Sequence, residues 1–179
     1  MVVFDTTTIL LSIDPRAKPP QDPATGLPLA KCKERVEHLL KTLQASKTQI
    51  LIPTPVLAEY LVGAGPNKGE YVEKIVASKN FAVEPFNIKA AIELSMLADP
   101  DLAAAKKLDE KTTWAKLKYD RQIIAIAKAC GASRVYTDDK NLAACARNNG
   151  VAATMTWEIP LPPDAPQMDL GLESHQDGQ

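Results

Sequence analysis

Short apolar runs alternate along the chain with stretches whose apolar residues recur every three to four positions. Val2-Val3-Phe4, closed by Asp5, reads as a first strand. Residues 15–30, PRAKPPQDPATGLPLA, hold five prolines and read as a loop. Over 31–46, Val36, Leu39, Leu40 and Leu43 fall at i, i+3, i+4 and i+7, which predicts a helix. QILIP (49–53) is the second expected strand. Thr54 as N-cap, with Pro55 at the first helical position, then opens a helix ending near Gly63 and Gly65.

The pattern continues with a helix at 70–78, a strand at 81–85 and helices at 88–97 and 103–111. A helix at 119–130 carries Ile123, Ile126, Ala127 and Cys130 on one face and stops at Gly131. SRVYT (133–137), a helix at 140–148 closed by Asn149-Gly150, and VAATM (151–155) complete the series. Strands alternating with helices imply a parallel sheet covered on both faces. One α/β domain is expected over 1–157, with an acidic, proline-rich and flexible tail at 158–179.

Composition adds limits. The 179 residues are 45% hydrophobic and 24% charged, ordinary values for a globular domain with a full core. No run approaches the roughly 20 apolar residues of a membrane span, and the N-terminus lacks a basic segment leading into an apolar one. A cytoplasmic protein without a membrane partner is expected. Cys32, Cys130 and Cys145 form no C-x-x-C pair, and His38 and His175 are the only histidines. Histidine-based triads and histidine-rich metal sites therefore have little material.

The net charge of −1 is unevenly spread. Residues 158–179 contain five acids and no Lys or Arg, leaving 17 acids against 21 basic residues in the body, a balance of +4. The densest basic stretch, 106–121, has six Lys or Arg against three acids. Such a run can be a solvated helix surface or a basic face for nucleic acid.

The acids fall where an open α/β sheet places its ligand crevice, beyond the carboxyl ends of the strands. Asp5 ends strand one, Glu59 lies just over a turn into the helix after strand two, Asp120 opens the helix leading into strand four, and Asp138 and Asp139 follow that strand. Each alone has a structural explanation. Asp138 or Asp139 can cap the next helix, Asp120 can answer a helix dipole, and Asp5 can accept from the Thr6-Thr7-Thr8 turn. Glu59 is harder to explain, since its helix is otherwise apolar and offers no cation at i+4. Carboxylates sharing one pocket repel one another unless a cation neutralises them, and hard oxygen donors suit Mg²⁺ or Mn²⁺. Phosphodiester hydrolysis is the chemistry such a site serves best.

VVFDTTTILL, IPTPVLAEYLVG, KYDRQIIAIAKACGA and RVYTDDKNLAACARNNGV, in this order and spacing, resemble the four acidic motifs of the PIN-domain nucleases, which include VapC-type toxins of toxin-antitoxin pairs. The resemblance spans about residues 2–155. It implies a three-layer α/β/α sandwich with a central parallel sheet and a Mg²⁺- or Mn²⁺-dependent ribonuclease. By resemblance the acids are Asp5, Glu59, Asp120 and Asp139, with Asp138 a one-residue alternative for the fourth. Thr7 and Thr137 take the family's hydroxyl positions and would orient ligands or the substrate phosphate. Lys116, Lys118 and Arg121 flank Asp120 and could contact RNA. An antitoxin protein and a second copy of the chain are the partners the family brings into view. A PIN relative that binds RNA or protein without cutting is the alternative function. The loop at 15–30 and the tail make this chain longer than the compact toxins, and the loop, following strand one, either overhangs the site or is a solvated excursion.

Overall fold

The computed structural model describes residues 1–97 and 111–163. Five strands form one sheet in the order β3-β2-β1-β4-β5, all neighbours parallel. The strands are β1 (Val2–Phe4), β2 (Ile50–Pro53), β3 (Phe81–Glu84), β4 (Arg134–Tyr136) and β5 (Ala152–Thr154). The helices are α1 (Thr6–Ile13), α2 (Cys32–Ala45), α3 (Thr54–Gly63), α4 (Lys68–Ala77), α5 (Ile88–Met96), α6 (Lys111–Ala129) and α7 (Lys140–Asn148). Together they make the three-layer α/β/α architecture expected from the alternating pattern.

β1 is central, and its residues are apolar because both faces are covered: Val3 and Phe4 are fully buried, as are Ile52 on β2 and Val135 on β4. Each such side chain contributes about 1.5–3 kcal/mol through burial. Ile9 of α1, Val56 of α3 and Ile124 of α6 close on this sheet. The chain moves from β1 outward through β2 to β3, then returns to the other side of β1 as β4 and β5. The order therefore reverses beside β1, and a crevice opens at the carboxyl ends of β1 and β4.

Several boundaries differ from the sequence pattern for identifiable reasons. Thr6-Thr7-Thr8 reads as a turn, yet it opens the helix α1, Thr6–Ile13. Asp5 caps it, accepting from Thr8 N–H at 2.8 Å, and Thr8 Oγ1 donates to Tyr136 O at 3.0 Å, so tertiary bonds outweigh the weak helix propensity of threonine. Thr54 is not the N-cap of α3 but its first residue; its hydroxyl accepts from Phe86 N–H at 3.3 Å. α6 begins at Lys111, eight residues before the expected start. The expected helix at 103–111 lies almost wholly outside the described residues. Both α6 and α7 end at glycines of positive φ, Gly131 and Gly150, with Ala132 N–H bonding Ala127 O and Val151 N–H bonding Ala146 O.

The proline-rich segment folds back on itself through a Gln21–Pro28 bridge and anchors through Leu29, which is buried. At the other end of the chain, packing continues to Ile159, 1% exposed, whose carbonyl accepts from Arg35. Residues 164–179 of the acidic tail lie outside the described residues. No helix among those described is long and apolar enough to cross a membrane.

Candidate active site

The register between β1 and β4 pairs Phe4 with Tyr136, so the residues that follow, Asp5 and Thr137, emerge side by side at the crevice. Asp5 N–H donates to Tyr136 O at 3.1 Å, and Thr137 Oγ1 donates to Asp5 Oδ2. Asp5 is 6% exposed and its two hydrogen-bonding partners, Thr8 N–H and Thr137 O–H, are neutral. Burial pushes its carboxyl up to about 6, against the lowering effect of the Thr137 and Thr8 hydrogen bonds, and Asp138 adds a smaller upward contribution.

Three further acids reach the same cleft, whose volume is about 570 Å³, from three other helices. Asp5, Glu59 of α3, Asp120 of α6 and Asp139 at the start of α7 all line it, with Thr6 and Thr7 of α1. Pro55, Val62, Ile123 and Leu142 form apolar wall. No Lys, Arg or His is among the described residues of this lining.

Glu59 is exposed, and its Oε2 accepts from Thr6 Oγ1 at 2.6 Å. Asp120 is 8% exposed and lies midway along the 19-residue α6, not in a first turn. The helix-dipole explanation for this acid is therefore removed, because the dipole acts over the terminal turns. Asp139 does cap α7, its Oδ1 accepting from Asn141 N–H at 2.7 Å and Leu142 N–H at 3.3 Å, while the residue also lines the cleft. Capping and site position are thus properties of the same carboxylate.

Asp138 stands apart. Its Oδ1 and Oδ2 accept from the backbone N–H and hydroxyl of Thr156, both at 2.7 Å, which ties the end of β4 to the turn after β5. It is not among the residues lining the cleft. Thr137 is 1% exposed; its hydroxyl donates to Asp5 and accepts from Asp139 N–H at 3.0 Å. It bridges two acids and has no surface to offer a substrate. Lys118 is exposed and Arg121 half-buried on α6, and neither is among the lining residues; the side chain of Lys116 lies outside those described.

The sequence pattern did not single out Thr6, which holds Glu59, or Thr156, which holds Asp138. Only the helical form of residues 6–13 tells which of three consecutive threonines faces α3. The donor set of the cleft is hard oxygen throughout, and a buried carboxylate whose donors among the described residues are neutral is suited to a hard divalent cation. Among the described residues no three acids, cysteines or histidines close on a single point.

The fold has known counterparts. The structure of VapBC2 from Rickettsia felis bound to a DNA fragment from their promoter superposes with a TM-score of 0.55 at 18% identity, over 87% of this chain and 98% of that one. DNA-bound VapBC from Salmonella typhimurium gives 0.52 at 18%, over 87% and 97%. No curated protein matches the sequence. The model of the PIN domain matches residues 29–148, two thirds of the chain and three of the four cleft acids. The chain belongs to the PIN domain family.

Proposed function

We propose that the protein is a divalent-metal-dependent endoribonuclease that hydrolyses RNA phosphodiester bonds. The observation that carries this reading is the convergence of Asp5, Glu59, Asp120 and Asp139, from four separate elements, on one cleft whose described lining contains no basic side chain. A set of hard carboxylate oxygens on one cleft suits Mg²⁺ or Mn²⁺. Bound there, such an ion would lower the pKa of a coordinated water and neutralise charge on the scissile phosphate.

The chain's own residues divide the remaining work. The four acids would hold the ion, whose contribution would be to activate the attacking water. Thr137 fixes the rotamer of Asp5 and positions the backbone before Asp139, and Thr6 fixes Glu59. Thr7 lines the cleft beside them, within reach of a substrate phosphate. Arg121 and Lys118, one and two residues from Asp120 along α6, supply positive charge for the RNA backbone, with Lys116 four residues from Asp120. RNA rather than DNA is the substrate by resemblance to the family.

The fold neighbours are VapBC structures, which supports a toxin role with an antitoxin as protein partner. α5 supports a protein partner too, since Ile88, Ile92 and Met96, at i, i+4 and i+8, are all strongly exposed.

The test is cleavage of labelled RNA and single-stranded DNA in Mn²⁺, Mg²⁺ or EDTA, beside Asp5→Asn. Cleavage of RNA that needs the ion and disappears in Asp5→Asn is the expected result. Cleavage persisting in EDTA or in Asp5→Asn overturns the reading, and binding without cleavage points to a non-cutting relative.

A further inference from the structure

A second cavity, about 260 Å³, adjoins the acidic cleft and shares two residues with it, Thr6 and Glu59. Leu10, Gly63, Ala64 and the rings of Tyr60 and Tyr71 give it an apolar wall. Arg16 and Asp14, where the chain leaves α1 for the proline-rich loop, stand at its edge. Among the described residues lining either cavity, Arg16 is the one basic side chain.

Arg16 is held in place without being covered. Its Nε donates to Asp14 Oδ1 at 3.3 Å, its backbone N–H donates to the same oxygen at 2.9 Å, and its side chain is 75% exposed. Tyr71 Oη donates to Asp14 Oδ2 at 2.9 Å. These hydrogen bonds, the Arg16 backbone N–H first, keep the Asp14 carboxyl below the ordinary range, so the tether stays ionised.

We infer that this cavity is a subsite for the nucleotide next to the scissile phosphate, with Arg16 on that nucleotide's phosphate and the base against the wall of Leu10, Gly63 and Ala64. The inference rests on the ribonuclease reading of the adjoining cleft. A volume below the usual range of about 300–1,000 Å³ for small-molecule pockets suits a single base, not a whole nucleotide. An exposed guanidinium offers paired donors to a phosphate. The loop after β1 and α1 thereby gains a role in substrate recognition.

The experiment measures binding of a short fluorescent RNA to the full chain in Ca²⁺ across a salt series, with RNA cleavage by the unmodified protein in Mn²⁺ followed in parallel. Arg16→Gln should weaken binding several-fold and reduce the slope of log K against log salt by about 0.7, the share of one phosphate on a single strand. Arg16→Lys should restore the slope but only part of the affinity. An unchanged slope in Arg16→Gln overturns the subsite and leaves the nuclease reading to stand on cleavage. If the unmodified protein neither binds nor cleaves RNA, both readings fall.

Discussion

The Thr6 hydroxyl donates to Glu59 Oε2 at 2.6 Å, joining the first residue of α1 to the exposed acid of α3 across the mouth of the cleft. Glu59 is the most exposed of the four acids, and a long side chain in water samples many rotamers unless it is held. Thr6→Val keeps the β-branched shape and removes the donor. We expect a loss of about 10- to 100-fold in metal-dependent RNA cleavage, the range for groups that orient a metal ligand, with stability changed by less than about 1 kcal/mol. Single-turnover cleavage and urea unfolding of the same preparation measure the two effects. Equal cleavage by Thr6→Val would show that Glu59 does not need its anchor.

The Asp138-Asp139 doublet separates by substitution. Asp139→Asn retains an acceptor for the Asn141 and Leu142 amides, so the cap of α7 survives while the charge facing the cleft is lost. Cleavage should fall by more than about 100-fold with little change in unfolding midpoint. Asp138→Ala should do the reverse, costing about 1–3 kcal/mol as Thr156 loses both its acceptors, with cleavage within a few-fold of the unmodified protein. The opposite pattern would place the fourth acid at Asp138.

Asp5 gives a pH dependence whose sign can be worked out. Its carboxyl titrates near 6 in the folded protein against an ordinary 3.8, because burial penalises the charged form. The folded state therefore holds the proton more tightly than the unfolded chain, and stability declines as pH rises from about 4 to 6, by about 3 kcal/mol in all. Urea unfolding in EDTA at pH 4, 5, 6 and 7 should show this decline on the background of the other groups, and Asp5→Asn should flatten it. Adding Mn²⁺ at pH 7 should raise the unfolding midpoint of the unmodified protein and leave Asp5→Asn unmoved. Identical pH profiles for the two proteins would contradict the assignment.

Thr137 links two acids through one hydroxyl, so its removal should be felt twice. Thr137→Val leaves the buried Asp5 Oδ2 without its donor and the Asp139 amide without its acceptor, at a cost of about 1–3 kcal/mol. Losing the hydrogen bond that lowers the Asp5 carboxyl should also move the acidic limb of the cleavage profile to higher pH. Thr137→Ser, which restores the hydroxyl, should recover the profile.

Much of this was legible in the chain itself. Apolar runs at 2–4, 50–53 and 135–136 become buried strand because a parallel sheet covered on both faces admits little else, and the periodic face of α2 needed no further information. The order and spacing of the acids also pointed to one end of that sheet. Whether those acids meet was a matter of register and helix phase, which depend on contacts between residues distant in sequence. The pairing of Phe4 with Tyr136 sets Asp5 beside Thr137, 132 positions away. Bonds from Asp5 and Tyr136 make a helix of three threonines and choose Thr6 as the partner of Glu59. A helix beginning at Lys111 turns Asp120 from an end-group into a buried mid-helix acid, and Thr156 decides which of two adjacent aspartates can face the cleft. Local pattern fixes which residues are strand or helix because burial repeats with a short period; the site belongs to the tertiary structure because its hydrogen bonds join four elements that the sequence keeps apart.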